Sequence, residues 1–159
     1  MIKITVIALS GLKEKYLRDA AAEYQKRLGG FCDLKIEELT PVRLSEKPSV
    51  SEVNAALERE AELIIKKIPA NSAVFPLCIE GNELSSENFA ELIKNNADMG
   101  KGITFIIGSS YGLSEKVKAL SSKRLSFSKM TFPHQLFRIM LLEQLYRAFR
   151  INTGGTYHK

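Results

Sequence analysis

Short β-rich runs alternate with amphipathic helical patterns five times along this chain of 159 residues. The segments between the β-rich runs place apolar side chains three and four positions apart. A helix between two strands carries the chain back to the end where the first strand began, so the strands run parallel. The alternation therefore predicts an α/β fold, with a parallel sheet flanked by helices on both faces. The predicted strands are Ile2–Leu9, Leu34–Leu39, Ala73–Ile79, Ile103–Ile107 and Arg124–Ser128.

Serine, proline and glycine residues mark where the predicted helices begin and end. The segment Thr40–Val50 carries two prolines and two serines, a composition typical of a mobile loop. No internal repeat is present and the length suits one domain, so residues 1–159 are interpreted as a single domain. Helices are expected over Lys13–Leu28, from Ser51 to about Ile68, from Ser85 or Ser86 to about Asn96, briefly after Ser114, and from Pro133 to about Arg150.

The composition argues against several classes of protein. With 45% hydrophobic and 26% charged residues, the chain is typical of a soluble, cytoplasmic globular protein. No apolar run approaches the ~20 residues that a membrane span needs, and the first residues lack the basic region and cleavage site of a signal peptide. Cys32 and Cys78 belong to no C-x-x-C motif and have no nearby His. We therefore expect reduced thiols and no metal.

The positive charge is concentrated at the C-terminal end of the chain. Residues 123–159 contain seven Lys or Arg and one acidic residue, Glu143, which is a net charge of +6, whereas the whole chain carries +5. The remaining residues 1–122 are therefore slightly acidic. A basic surplus confined to one segment predicts one positive surface that faces a polyanion.

Three loops follow predicted strands at the edge where parallel sheets bind ligands. They begin after Leu77, after Ile107 and after Phe127. The second loop, Gly108–Gly112 (GSSYG), matches neither G-x-G-x-x-G nor a P-loop, which argues against dinucleotide binding and NTP hydrolysis. Its glycines permit either a close approach of the backbone to a small ligand or an ordinary left-handed turn.

The third loop, Phe127–Pro133 (FSKMTFP), is unusually apolar for a connection between a strand and a helix. Phe127, Met130 and Phe132 either fill the core between two layers or line a site for a flat ring such as adenine. In the second case, free backbone donors and acceptors would contact the ring. Both interpretations stay open at this point.

The last predicted helix is apolar nearly all round. On one side, Glu143 and Arg147 form a favourable i,i+4 pair. His134 and Arg138 lie on the opposite side, among leucines. Because a buried guanidinium needs a partner, Arg138 either pairs across a subunit interface, meets an anion or has a structural role. His134 either caps the helix or transfers protons. A helix that must be covered on both sides favours a homodimer.

The C-terminal segment Asn152–Lys159 (NTGGTYHK) has the composition of a frayed tail. The alternative is that Gly154 and Gly155 allow the end of the chain to fold over a bound base. Tyr157 could then stack on the base, and His158 could transfer a proton near neutral pH.

Several of these segments together resemble one family along the full length of the chain. They are LKEKY at residues 12–16, FIIGSSYGLS at 105–114, LSFSKMTFPHQLFRIMLLEQLYRAFRI at 125–151 and the terminal TYHK. The chain is similar to the RlmH family, formerly YbeA, the rRNA pseudouridine N3-methyltransferases of the SPOUT superfamily. The C-terminal run is long and specific, and it carries most of the resemblance.

The resemblance implies a SPOUT fold whose C-terminal part is tucked through a trefoil knot, a topology that composition and periodicity would not suggest. It also implies a homodimer that binds S-adenosyl-L-methionine in the knot. The implied substrate is N3 of a pseudouridine, at position 1915 in helix 69 of 23S rRNA, on the assembled 70S ribosome. The methyl transfer needs no metal.

The resemblance also assigns residues. Matching positions imply substrate-side roles for Arg138, Tyr157 and His158, with Arg138 stabilising an anionic ring and His158 accepting the N3 proton directly or through water. The general base is open between His158, His134 and water. The implied cofactor residues are Leu77, Gly108, Phe127, Ser128, Lys129, Met130, Thr131 and Phe132.

Two residues are unusual, one for the family and one for a regular β-strand. Ser109 stands where the family commonly has a second glycine, and we expect a modest effect on cofactor affinity. Pro76 removes a backbone donor beside Leu77 and is expected to mark the end of the third strand. Two other functions remain open: a SPOUT methyltransferase that acts on another RNA such as tRNA, and a ribosome-binding factor without catalysis.

Overall fold

A computed structural model describes residues 1–158 of the chain. Five strands form one sheet in the order β2-β1-β4-β3-β5, and every pairing between them is parallel. The predicted α/β architecture is therefore confirmed. The strands are β1 (Ile2–Ala8), β2 (Cys32–Glu38), β3 (Ser72–Glu83), β4 (Gly102–Ile107) and β5 (Leu125–Ser126). The helices are α1 (Lys15–Leu28), α2 (Val50–Lys67), α3 (Ser86–Asp98), α4 (Glu115–Lys118) and α5 (His134–Asn152).

Helices cover both faces of the sheet, as the alternation predicts. Side chains alternate between the faces along each central strand. On one face, Val6 and Phe105 belong to the cluster that packs against α1, α3 and α5. On the other face, Ile7 and Ile106 pack with residues of α2 and with Val117 of α4. All four of these strand residues are fully buried, which is why the central strands are continuous apolar runs in the sequence.

The end of β3 differs most from the prediction. The strand continues through Pro76 to Glu83, so the expected end near Ile79 and the role given to Pro76 are wrong. The pairing with β5 is irregular: Leu125 lies opposite Leu77 and again opposite Asn82. In addition, β5 is only two residues long. Pro76 itself lies opposite Ile106 in the regular β3–β4 pairing, and the pairing with β5 begins only at Leu77.

The helix ends follow capping chemistry, with one correction. Ser49, not Ser51, caps α2: its hydroxyl accepts from the Glu52 amide, and the Glu52 carboxylate accepts from the Ser49 amide. Residues 39–49, between β2 and α2, have no regular structure, as expected for the linker-like segment. Pro133 directly precedes the first residue of α5.

Helix α5 lies between α1 and α3 on one face of the sheet. Its residues Leu141, Leu142 and Leu145 are fully buried against the strands. This position brings the start of α5 to the carboxyl edge of the sheet and its end towards the opposite edge. In residues 1–158, no helix has both the length and the apolar character that a membrane crossing requires.

Candidate functional site

A cleft of about 700 Å³ opens at the carboxyl ends of β3, β4 and β5. Two of the three expected loops line it, those after Ile107 and after Phe127, whereas the residues from Leu77 onward that line it belong to β3 and not to a loop. The lining consists of residues 77–80, 107–113, 126–128 and 131–134, together with Lys118 and Phe137. Parallel strands end at one edge, so segments that are distant in sequence meet there.

Six of the eight predicted cofactor residues line this cleft: Leu77, Gly108, Phe127, Ser128, Thr131 and Phe132. The other two, Lys129 and Met130, are exposed at the tip of the loop, and 72% of Met130 is accessible. Met130 therefore does not fill the core, contrary to one of the two interpretations of this loop.

The loop after β5 presents an aromatic wall to the cleft. The rings of Phe127 and Phe132 pack against Phe137 of α5, with centroid separations of 6.0 Å and 5.6 Å. Ser128 stabilises the turn: its carbonyl accepts from the Ser126 hydroxyl at 2.9 Å, and its own hydroxyl accepts from the Met130 amide at 3.0 Å. Phe127 and Phe132 therefore fit both interpretations of this loop: they pack on α5, as core residues would, and they also line the cleft, as residues of a ring-binding site would.

The loop Gly108–Gly112 is closed on itself. The Gly112 amide donates to the Ser109 carbonyl at 2.9 Å, and Gly112 has a φ of +83°. A Cβ atom at position 108 would lie 2.4 Å from the Gly112 carbonyl oxygen, so only glycine fits there. The loop's own backbone therefore requires Gly108, whether or not a ligand approaches it.

Charged and thiol groups line the opposite wall of the cleft. The Lys118 ammonium bonds to the Glu80 carboxylate and holds the pKa of that carboxyl below its usual range. Burial raises the pKa of the Cys78 thiol, so the thiol stays protonated at neutral pH. In residues 1–158 no group of three or more His, Cys, Asp or Glu side chains is arranged to hold a metal ion.

His134 stands between this cleft and a second cavity of about 500 Å³, and it lines both. Burial, with the nearby charges of Arg138 and Lys13, lowers the pKa of His134. The imidazole is therefore neutral at pH 7. The second cavity also contains Glu38, Glu60 and Ser109 in its lining.

Arg138 has its main partners inside its own chain. It is 3% exposed, and it donates to Glu38 Oε2 at 2.7 Å and to the carbonyl of Ser10. Within the single chain, Glu38 supplies the partner that the buried guanidinium needs, which is the structural alternative for Arg138. Its Nε atom has no partner among the described residues.

The C-terminal tail is folded back onto α5 instead of fraying. After α5 the Gly155 amide donates to the Arg150 carbonyl at 2.7 Å, and Gly154 has a φ of +70°. This reversal directs Tyr157 onto the outer side of the helix. The Tyr157 ring lies 4.9 Å from that of Tyr146, centroid to centroid.

Two polar residues of α5 fix the tip of the tail. Glu143 and Arg147 form the predicted i,i+4 ion pair at 2.7 Å. The Arg147 guanidinium stacks on Tyr157 and lies 3.2 Å from His158 Nδ1, while His158 Nε2 lies 2.8 Å from Glu87 Oε1. Because Arg147 can only donate and Glu87 accepts, neutral His158 with its proton on Nε2 satisfies both.

Several of the C-terminal cations have acidic partners in the folded chain. Arg138 is buried with Glu38, Arg147 is paired with Glu143, and Arg124 lies 3.6 Å from Glu115. Lys123 and Lys129 are exposed. Tertiary partners neutralise several of these charges, and the single positive surface stays a prediction.

The sequence reasoning missed several residues of the site. Glu60, on α2, is 3% exposed and accepts a hydrogen bond from Ser109 Oγ at 3.0 Å. Its position four residues from both Ala56 and Ile64, on the apolar stripe of the helix, is a signal that could have identified it. No sequence pattern identifies Glu38 or Glu87, because their partners, Arg138 and His158, are distant in the sequence and come close only in the folded chain.

Comparison with known proteins agrees with this geometry. A family model described as predicted SPOUT methyltransferase matches residues 2–158. The ribosomal RNA large subunit methyltransferase H of Clostridium botulinum strain Okra is 48% identical over 99% of this chain and 100% of its own length. The ribosomal RNA large subunit methyltransferase H 1 of Clostridium perfringens strain SM101 is 49% identical over the same shares.

Two solved structures share the fold at low sequence identity. A probable methyltransferase from Bordetella pertussis Tohama I aligns with a TM-score of 0.54 at 16% identity, over 92% of this chain and 93% of that one. A putative methylase family protein from Neisseria gonorrhoeae aligns with a TM-score of 0.52 at 13% identity, over 91% and 81%. At these identities the likeness concerns the fold alone.

Proposed function

Because this chain belongs to the SPOUT methyltransferase family, we propose that it transfers a methyl group from S-adenosyl-L-methionine to N3 of a pseudouridine in 23S rRNA on the assembled 70S ribosome. The names of the relatives support a substrate in the large-subunit rRNA. The resemblance of the C-terminal run supports the base and the atom. The proposed enzyme is a cytoplasmic homodimer, with residues 1–159 as one domain.

The convergence of two loops and the later part of β3 on one cleft carries the proposal. A cavity of about 700 Å³ lies within the usual ~300–1,000 Å³ of small-molecule sites. The aromatic wall of Phe127 and Phe132 suits a flat ring, and the Glu80 carboxylate at the opposite wall can accept from hydroxyl or amino groups. These features fit S-adenosylmethionine. Lys129 and Met130 contribute through the conformation of the loop, since the Met130 amide bonds to Ser128.

A trefoil knot in the C-terminal part belongs to the same proposal. Its support is the close approach of two backbone segments beside the cleft. A Cβ atom at Gly81 would lie 2.5 Å from the carbonyl carbon of Leu125, and the Asn82 amide donates to the Arg124 carbonyl at 2.9 Å. The residues directly after Leu125, Ser126–Ser128, line the cleft.

When bound, the cofactor supplies an electrophilic methyl group, so the protein mainly positions the base and handles its N3 proton. The imide nitrogen is a poor nucleophile until that proton leaves. We assign His158 as proton acceptor and Tyr157 as stacking partner. The cations of Arg138 and Arg147 stabilise the anionic ring. Glu38 and Ser10 occupy the terminal nitrogens of Arg138, so the donor left for the ring is its Nε atom, which has no partner among the described residues.

The tail cannot reach the cleft of its own subunit. Phe137 is the cleft residue farthest along α5, and Thr153 lies sixteen positions further on, which is roughly 24 Å at 1.5 Å per position. From Thr153 to His158 an extended chain spans at most roughly 18 Å. We therefore propose that the tail of one subunit serves the cleft of its partner.

The homodimer places apolar surface of α5 at the interface. Leu136 is 38% exposed, and Ile139 and Met140 are half-buried in the single chain. A smaller cavity of about 260 Å³ beside the cleft is lined by Met140, Phe127 and Leu84. A second subunit packed there would bury this surface and bring its tail towards the cleft.

The test is transfer of labelled methyl from S-adenosylmethionine to ribosomes that lack the modification, with separated large subunits and tRNA as parallel substrates. We expect label on assembled ribosomes, mapped to N3 of a pseudouridine. Label on tRNA instead would establish the alternative SPOUT activity. Cofactor binding without label on any RNA would support a ribosome-binding factor without catalysis.

A further inference from the structure

Glu60 is a buried carboxylate that lies next to the cleft but does not line it. It belongs to the apolar side of α2, with Ala56, Ala61 and Ile64, and only 3% of it is exposed. Carboxylates are almost never buried to this degree unless they are paired or hydrogen-bonded. The environment of Glu60 therefore needs a specific explanation.

The two oxygens of Glu60 join two separate segments. Oε2 accepts from the backbone amide of Val42 at 2.9 Å, and Oε1 accepts from the hydroxyl of Ser109 at 3.0 Å. Val42 belongs to residues 39–49, which have no regular structure of their own. Ser109 belongs to the Gly108–Gly112 loop of the cleft. One side chain thus ties the irregular segment to a wall of the cleft.

A bond at Ser109 constrains the whole Gly108–Gly112 loop. The Ser109 carbonyl accepts from the Gly112 amide, and Gly108 is pressed against Gly112 so closely that a Cβ atom would not fit. The hydrogen bond and the close contact hold the two ends of the loop together. The hydroxyl that distinguishes Ser109 from glycine is the group that reaches Glu60.

We propose that Glu60 is a positioning residue: through Ser109 it holds the Gly108–Gly112 loop in its ligand-facing conformation, and through Val42 it couples residues 39–49 to that loop. The coupling to a ligand rests on the proposed function, since it takes S-adenosylmethionine as the occupant of the cleft. The coupling between the two segments exists in the ligand-free chain as well.

The first test uses hydrogen exchange of the Val42 amide in the ligand-free protein. Ser109→Ala removes the hydroxyl but leaves the Glu60–Val42 bond in place. We expect it to raise the exchange rate about fivefold, the worth of one ordinary hydrogen bond. The matched control is Ser45→Ala, an exposed serine in the same segment, which should leave the rate unchanged. Equal rates in Ser109→Ala and the control would overturn the coupling.

Substitutions of Glu60 test whether its two hydrogen bonds, and not merely its buried position, link the two segments. In Glu60→Gln, the amide oxygen can accept from Val42 and the amide nitrogen can donate to Ser109, so exchange should stay within about twofold of wild type. Glu60→Ala removes both bonds, and adding Ser109→Ala to it should then change nothing further. An additive double variant would contradict the proposal. If Glu60→Ala does not fold, Glu60→Gln and Ser109→Ala still decide the matter.

The second test adds S-adenosylmethionine and measures its Kd by calorimetry. Ser109→Ala should weaken binding about fivefold, while Glu60→Gln should bind within about twofold of wild type. The ligand should slow Val42 exchange in wild type and not in Ser109→Ala. If Ser109→Ala binds S-adenosylmethionine with wild-type affinity, and the ligand slows its Val42 exchange as in wild type, the proposal is wrong. A wild type that binds no S-adenosylmethionine would refute the proposed function instead, and the exchange arm would still decide the coupling.

Discussion

The hydroxyl of Tyr157 donates a 3.1 Å hydrogen bond to Glu143 Oε1, the same oxygen that receives Arg147 at 2.7 Å. One carboxylate on α5 therefore holds both the tail and the cation that stacks on it. A tail held in this way is not a frayed end, and it keeps His158 in a defined place.

Loss of the Tyr157 hydroxyl should weaken the docked tail. In Tyr157→Phe the ring still packs on Tyr146, but the bond to Glu143 is lost. We expect the free energy of unfolding to fall by about 1 kcal/mol, measured by chemical denaturation. Tyr16→Phe is the control, because Tyr16 is 69% exposed on α1. Indistinguishable stabilities of the two variants would show that the bond adds nothing.

The docked tail should also be sensitive to high pH. Burial, followed by the hydrogen bond to Glu143, raises the pKa of Tyr157 to about 12 from 10.0. The folded state therefore favours the neutral phenol. Its stabilising contribution is fully present below pH 10 and is lost as the pH rises from 10 through 12. A tyrosinate absorbance titration should show one late-titrating group that is absent in Tyr157→Phe. A titration curve near pH 10 for every tyrosine would contradict the prediction.

Substitutions of His158 and His134 should change different quantities, turnover in the first case and cofactor affinity in the second. We expect His158→Ala to lower turnover by a factor of about 10² or more, with a cofactor Kd that changes little, because a proton acceptor acts on the substrate. His134→Ala removes a side chain that lines the cleft and should raise the cofactor Kd. Turnover and calorimetry on both variants provide the comparison. Equal loss of turnover and affinity in His158→Ala would count against a base role.

A mixed dimer should reveal whether the tail acts across subunits. We expect a chain trimmed of Tyr157–Lys159 to be inactive but dimeric. A chain carrying Gly108→Ala, which displaces a wall of the cleft, should be inactive as well. A heterodimer of the two retains one intact cleft opposite one intact tail, so it should recover up to about half of the wild-type activity per dimer. Recovery in the trimmed homodimer would mean that the tail is dispensable.

Gly81 should be intolerant of a methyl group. In Gly81→Ala the new Cβ would lie 2.5 Å from the backbone of Leu125, and neither backbone segment can yield without breaking the β3–β5 pairing. We expect a loss of about 2 kcal/mol or more in the free energy of unfolding. Gly30→Ala is the control, since nothing lies within 4 Å of the added atom. A Gly81→Ala variant as stable as the control would mean that the two segments are not in fixed contact.

Much of the candidate cleft could be predicted because parallel strands end at one edge. With the strands assigned, Leu77, Gly108 and Phe127 have to converge there, and the cavity contains all three. The prediction holds less well for Lys129 and Met130, which lie in the same loop but face away. Position in a loop follows from the sequence, whereas the direction of each side chain depends on the turn that Ser128 builds.

Local periodicity and capping chemistry are properties of the amino-acid sequence by itself. The order of strands and helices and the Glu143–Arg147 pair depend on residues within a few positions of one another. The parallel arrangement of the strands follows from that alternating order. Other contacts join residues that are far apart in the sequence. They are the pairing of Arg138 with Glu38, one hundred residues away, the buried hydrogen bonds of Glu60 and the contact of His158 with Glu87. These contacts arise only when packed helices bring distant side chains together, because hydrophobic packing, not local preference, sets their positions.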